Sequence, residues 1–361
     1  MDELTALATL NNMPLLGSVR ILQLLKEFGS AAEALKASPQ QLKNISGFGD
    51  KIVDRWNIEA AVQLAEEDLE LAQRFHVHVI PYTDKRYPKR LKCLADFPTL
   101  LYVMGDLRPE DEQSIAIVGT RTATHYGLEM AHRFGAELAR NGLTIVSGLA
   151  RGVDSAAHKG ALETGRTHAV LGSGLCHLYP PENRDLAKNI IQNGALISEF
   201  PMKTPPDRHR FPRRNRIVSG LSAALLLVEA PIKSGAMLTM KRGLDQGQNL
   251  YALPGRVDIP NFQGNHSLIK QKQAQLITCP KDLVEEFVEW HPPLKKTQPQ
   301  LEPDESDLLK LFPPDEIGID RLATLSKLPI QKLNVLIMRL ILKKQIKEYP
   351  GKYYKKTTVA H

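Results

Sequence analysis

The sequence has few cysteines, few tryptophans and no long apolar run. Its three cysteines, Cys93, Cys176 and Cys279, stand far apart, and no Cys-x-x-Cys pair occurs. That spacing argues against a zinc ribbon or a disulfide framework and leaves a reduced, cytoplasmic chain as the expectation, with no metal. No stretch of about 18 apolar residues is present, so no membrane span is expected. The opening residues, MDELTALATL, lack a basic segment and carry acids early. They do not read as a secretory signal. Internal repeats are absent too.

What is present is ordinary globular material. Hydrophobic residues make up 42% and charged residues 24% of 361 residues, enough for two or three domains with a sizeable core. Lys and Arg number 47 against 40 Asp and Glu, a formal charge of +7. Spread evenly, this excess would serve only solubility. It points to a polyanion only where it clusters. One cluster stands out: Lys203, Arg208, Arg210, Arg213, Arg214 and Arg216 share the stretch 201–216 with Asp207 as its only acid.

Apolar periodicity divides the chain. Residues 1–72 show leucines and isoleucines at spacings of three and four, punctuated by Gly17, Gly29 and Pro39, which predicts a small all-α domain. Within it, Gly47-Phe48-Gly49 sits between short helical pieces. This turn reads either as a degenerate helix-hairpin-helix or as a plain turn, with Asp50 unfavourable beside phosphate. Residues 76–104 hold two β-type runs, HVHVI and TLLYVMG, as a lead-in to the next domain. From 113 to 282 strand and helix alternate. The strand candidates SIAIVG, LTIVSG, THAVLG, ALISEF, AALLLVEA, NLYALPG and QLIT are continuous apolar runs. Helices are predicted near 126–141, 152–164, 182–193, 236–246 and 265–273. Such runs imply burial on both faces, so the expectation for 76–290 is an α/β, Rossmann-like, doubly wound and mainly parallel sheet. A Pro-rich linker is expected at 291–303. Residues 304–361 read as a winged-helix-like domain whose last helix carries Leu333, Leu336, Ile337, Leu340 and Ile341, with a Pro350-Gly351 hairpin after it. Gln331, Lys332, Asn334, Arg339, Lys343 and Lys344 flank that helix. DNA reading and protein docking are both open to it.

Ligands of such sheets bind at the carboxyl ends of the strands, and several strands here end in glycine. Gly119 and Arg121 form one strand-to-helix turn fit for a phosphate, or simply a tight turn with a solvated arginine. Ser147, Gly148 and Arg151 form a second. Asp154 and His158 come next, on one helix face. That pair reads better as a cap and a structural histidine than as an acid–base couple. Gly172-Ser173-Gly174 begins like a dinucleotide fingerprint, but His177 takes the place of the third glycine, and no cofactor is expected. The strongest stretch runs from Arg208 to Arg216. Its cations suit phosphates and Phe211 supplies a stacking platform for an unpaired base; the alternative is an exposed basic loop with Phe211 tucked inward. Lys233, Ser234 and Gly235 open a helix where an anion would sit, or where Ser234 acts only as an N-cap.

In order, GTRTATHYG, SGLARGVDSAAHKGAL, GRTHAVLGSGL, YPPEN, GALISEF, FPRRNRIVSGLS, VEAPIKSGA and ALPG make a series that resembles the DprA/Smf family over about residues 80–280. The end domains resemble that family's helical front and winged-helix tail more weakly. The resemblance implies a single-stranded-DNA-binding recombination mediator without catalytic turnover. Its implied partners are the RecA recombinase, single-strand-binding protein and a second copy of the chain. It implies a DNA pocket formed by Gly119, Arg121, Ser147, Gly148, Arg208, Phe211, Lys233, Ser234 and Gly235, with Arg214, Asn215 and Arg216 as phosphate or structural groups. Met240-Lys241-Arg242 and Gln273 depart from the family pattern, at the rim of that pocket. Two other classes compete. One is a nucleotide phosphoribohydrolase with Glu199 or Glu229 acting on a glycosidic bond, although the P-G-G-x-G-T-x-x-E pattern is missing. The other is a protein adaptor working through the C-terminal domain.

Overall fold

The computed structural model describes residues 1–288, 301–343 and 345–356. The chain divides into two compact units, Met1–His291 and Pro292–His361. The linker expected at 291–303 lies mostly outside the described residues, as does Lys344.

The first unit is built on a nine-stranded sheet: β1 His78–Pro81, β2 Leu100–Gly105, β3 Ser114–Val118, β4 Thr144–Ser147, β5 Thr167–Val170, β6 Gly194–Ser198, β7 Ala224–Leu227, β8 Asn249–Ala252 and β9 Gln275–Leu276, in the order β1-β2-β6-β5-β4-β3-β7-β8-β9. All neighbours from β6 to β9 are parallel, while β1 pairs with β2, and β2 with β6, antiparallel. The seven strands expected between 113 and 282 are all there. The lead-in goes further than expected, since both of its runs join the sheet, β1 as an edge strand and β2 between β1 and β6.

Side chains alternate across a strand, so a doubly covered strand must be apolar at every position. In β3, Ala116 and Val118 enter one core, and Ile115 and Ile117 the other. β7 splits the same way, Leu225 and Leu227 against Ala224 and Leu226. Helices His125–Arg140 and Val153–Leu162 supply Phe134, Leu138 and Ala157 to one core. Helices Arg210–Leu221 and Gly235–Asp245 supply Ile217, Val218 and Met240 to the other.

The helix Arg210–Leu221 corrects the expectation of a basic loop. Pro212 sits in its first turn, where a missing N–H leaves no helical bond unmade. From Arg214 to Leu221 it is buried all round, and polar Arg214, Asn215 and Arg216 stand among the buried residues, so no apolar stripe announces it.

Helices Glu3–Asn12, Ser18–Phe28 and Ile58–Arg74, with short turns of helix between, form the N-terminal module. Its core of Leu7, Leu10, Ile21, Leu24 and Ala65 continues onto Leu100 of β2. Buried polar bonds fasten it as well. Asp68 accepts from the Tyr102 hydroxyl at 2.6 Å and from the Met202 amide at 2.7 Å. Module and sheet therefore form one unit. Just after the Gly47–Gly49 turn, Asp50 opens the next short helix and forms an exposed ion pair with Lys43 at 2.6 Å.

The second unit has helices Pro303–Lys310, Ile319–Ser326 and Ile330–Leu342 and a small sheet of Ile317–Gly318, Tyr353–Lys356 and Ile346–Tyr349. Leu333, Leu336, Ile337 and Leu340 face its core, and Gly351 turns the hairpin at φ 85°. This is a winged helix. The opposite side of its last helix exposes Val335, Met338 and Leu342.

Candidate nucleic-acid interface

Strand order reverses between β3 and β7, the point where a doubly wound sheet opens a crevice for ligands. Here the protein fills that crevice itself. Glu229, fully buried after β7, accepts from the Thr124 amide at 3.0 Å, the Thr124 hydroxyl at 2.7 Å and Asn261 Nδ2 at 2.7 Å. Thr124 in turn caps the helix His125–Arg140 by accepting from the Gly127 amide. The open cleft lies over β3, β4 and β5 instead.

Arg121, Gly148, Arg151, Tyr179, Phe211 and Arg214 line this cleft, with Ala150 and Pro180. Its floor depends on two glycines. The Arg214 guanidinium lies so close to Gly148 that a Cβ there would overlap it. The Phe211 ring lies on Gly172, where a Cβ would come within 2.7 Å of its Cδ1. Arg214 Nη1 donates to the Val170 carbonyl at 2.5 Å. Burial, and then the neighbouring Arg121, push the Arg214 pKa down to about 10 against the pull of Asp154, so it stays cationic at neutral pH. Asp154 accepts from the amides of Gly148 at 3.1 Å and Ala150 at 3.3 Å. It fastens the loop before its helix, and Gly152 holds the cap position itself. Burial raises the Asp154 pKa, opposed by Arg214 and those amides.

Phe211 is half-buried and its ring is framed. The Tyr179 ring stands 5.8 Å away at 40°, and the Arg121 guanidinium lies 5.6 Å from the Phe211 centroid. Arg121, Arg151 and Tyr179 are exposed. Arg151 pairs with Glu182 across the rim. A framed aromatic beside exposed guanidiniums over a glycine floor can stack a base and hold its phosphates.

Of the expected site residues, Arg121, Gly148, Arg151, Phe211 and Arg214 therefore converge. Others form the frame. The Ser147 hydroxyl is fully buried and donates to the Ile117 carbonyl at 2.6 Å, so it faces no ligand. Gly119 lets Val153 pack against the end of β3. Asn215 is buried, accepts from Arg214 Nε and donates to the Gly235 carbonyl at 3.4 Å. Arg216 is a buried structural cation, bound to Glu199 at 2.5 Å, the Asp96 carbonyl at 2.6 Å and the Ser18 hydroxyl at 3.1 Å. Ser234 caps its helix through the Met237 amide, with Lys233 and Gly235 exposed beside it and outside the cleft lining. Arg208 is exposed in the turn before the basic helix. His158 is fully buried and structural. Sequence reasoning passed over Tyr179, whose signal was an aromatic before Pro180-Pro181 in a loop leaving a strand end, and Gly172 as the seat of Phe211.

The two carboxylates considered for catalysis are both bound internally, Glu199 by Arg216 and Glu229 by Thr124 and Asn261. Neither lines the cleft. Among the described residues no group of His, Cys, Asp and Glu fits a metal, and no helix is long and apolar enough to cross a membrane.

Comparison with known proteins agrees across both units. Residues 78–288 match the family model of DNA recombination-mediator protein A, and residues 292–352 that of the DprA winged helix domain. The chain is 38% identical over 296 residues to protein Smf of Escherichia coli, covering 79% of each. It is 39% identical over 215 residues to the DNA processing protein DprA of Bacillus subtilis, covering 59% of this chain and 72% of that one. DNA processing protein A from Streptococcus pneumoniae superposes with a TM-score of 0.67 at 30% identity, covering 80% of this chain and 99% of that one. The Helicobacter pylori protein, solved for its single-stranded DNA binding mode, gives a TM-score of 0.54 at 32% identity, covering 59% and 95%.

Proposed function

The chain belongs to the DNA recombination-mediator protein A family, DprA/Smf, and on that footing we propose that it binds single-stranded DNA in the Phe211 cleft and hands the strand to a recombinase without chemical turnover. The observation that carries this is the Phe211 ring, seated on Gly172 and framed by Tyr179 and Arg121. An unpaired base offers a π-face to such a platform, whereas a duplex keeps its faces stacked inside. Arg121 and Arg151 lie where phosphates on either side of a stacked base would pass. Arg214 is the buried positive charge beneath them. Gly119, Ser147, Asn215 and Arg216 hold the floor, and Arg208, Lys233, Ser234 and Gly235 are candidates for the outer path of the strand.

The internal bonds of Glu199 and Glu229 favour binding over glycosidic cleavage. Delivery to RecA, displacement of single-strand-binding protein and action as a cytoplasmic homodimer complete the reading. These rest on family membership rather than on the geometry of the cleft. A labelled oligothymidylate titrated with the full chain, alone and against duplex competitor at two salt concentrations, tests the binding step. Preference for the single strand and a steep loss of affinity with salt are expected. Equal affinity for duplex, or release of free base from nucleoside monophosphates, would overturn it.

A further inference from the structure

A second cleft, of about 330 Å³, lies between the N-terminal module and the segment after β6. That volume is in the range of small-ligand sites. Asn11, Asn12 and Glu67 stand on the module side, and Lys203, Arg210 and Arg213 on the other. The cations here are weakly matched. Lys203 is 3.7 Å from Glu67, and Arg213 is 3.7 Å from Glu199. Arg210 has no carboxylate within ion-pair reach among the described residues. The remaining acids at the cleft have internal partners, Glu199 through Oε2 with Arg216, its Oε1 being buried without a partner, and Asp68 with Tyr102 and the Met202 amide. Both guanidiniums are ordered by the Phe200 ring, at 5.8 Å for Arg210 and 5.2 Å for Arg213. Arg210 Nη1 also donates to the Pro205 carbonyl at 2.5 Å. The result is an anion-seeking wall, faced by two amides that each spend one donor inside the protein, Asn11 on the Glu199 carbonyl at 3.2 Å and Asn12 on the Ala8 carbonyl at 3.0 Å, and can offer their remaining polar atoms to a base or a sugar.

We propose that this second cleft binds a nucleoside phosphate, supplied by the same DNA strand whose neighbouring base stacks on Phe211. The inference rests on the assignment of the Phe211 cleft to single-stranded DNA. Continuity argues for the strand as the source. The helix Arg210–Leu221 separates the two clefts, with Phe211 and Arg214 on one and Arg210 and Arg213 on the other. A strand leaving Phe211 needs to cross only the width of one helix, about 10 Å, to reach Arg213. The N-terminal module then becomes part of the DNA path rather than an appendage to it.

The test titrates oligothymidylates of about 4 to 20 nucleotides with the full chain, the double variant Arg210→Gln/Arg213→Gln, and Lys203→Glu. Lys203 is exposed and lies outside the helix, so its replacement leaves the fold alone. Both variants are expected to lose about tenfold or more in affinity for long strands and little for the shortest. The salt slope of the double variant should drop by about 1.4 for two lost phosphate contacts. Phe211→Ala, by contrast, weakens binding at every length. Unchanged affinity and slope of both cleft variants at all lengths overturn the proposal. Should the wild-type chain bind no single strand, the Phe211 reading fails, and equilibrium dialysis with free deoxythymidine 5′-monophosphate decides the cleft. Uptake lost in the double variant keeps the assignment with a free nucleotide as the source, and no uptake overturns it.

Discussion

Replacing Arg216 by Gln distinguishes a structural cation from a DNA ligand. The Arg216 and Glu199 side chains are 6% and 4% exposed, and their charged groups meet at 2.5 Å. Arg216 also binds the Asp96 carbonyl in the β1–β2 connection and the hydroxyl of Ser18, which itself donates to Glu199. The pair thus joins the helical module, the lead-in and the end of β6. Removing one partner of a buried pair leaves the other charge uncompensated, at a cost of about 3–5 kcal/mol. Arg213, 3.7 Å from Glu199, recovers only part of this. For a unit of this size, Met1–His291, the loss corresponds to a fall of roughly 5–8 °C in Tm. Thermal unfolding by circular dichroism reads it directly. The double replacement Arg216→Met/Glu199→Met removes both charges and should regain most of the stability. A variant Arg216→Gln with wild-type Tm and tenfold weaker DNA binding would refute the reasoning and return Arg216 to the DNA surface.

Two further outcomes come from local geometry. Gly172→Ala places a Cβ about where the Phe211 ring now rests, so the ring must turn away. Loss of one stacking platform is worth about 1–3 kcal/mol, or roughly 5- to 150-fold in affinity, with a much smaller change in Tm; wild-type affinity would show that the ring is not the platform. His158 concerns pH. Thr167 Oγ1 donates to the Ile145 carbonyl, so it accepts from His158 Nδ1 at 2.7 Å, and Nε2 is buried without a partner. Burial, then Arg214 and His168, push the His158 pKa down to about 3. The unfolded chain takes up this proton near pH 6.5 and the folded chain resists it, so stability falls as pH drops from about 6.5 towards 3. Urea midpoints of His158→Asn should fall less steeply than wild type over that window, and parallel curves would contradict the assignment.

The sheet was legible because burial on both faces leaves a continuous apolar run, as in β3 and β7. The cleft-lining residues were legible in part. Phe211 and Arg121 carry chemistry that stands out at a strand end. The buried polar residues were not. Arg214, Asn215 and Arg216 read as phosphate or structural groups without a choice between the two, because local pattern cannot tell a cation paired inside a core from one in water. Ser147 looked like a ligand contact for the same reason, and only tertiary contact gives its hydroxyl to the Ile117 carbonyl. Glu229 shows the limit most clearly. Its partners Thr124 and Asn261 lie 105 and 32 residues away, and together they close the crevice where this fold class would place a dinucleotide.

The most direct measurement is the affinity of the full chain for a labelled oligothymidylate, compared among wild type, Phe211→Ala and Phe211→Trp. An aromatic platform over Gly172 predicts a loss of roughly 5- to 150-fold for Ala and near-wild-type binding for Trp, with all three proteins equally folded. Equal affinity of the Ala variant and wild type would contradict the account, because the cleft would then hold DNA by charge alone or not at all.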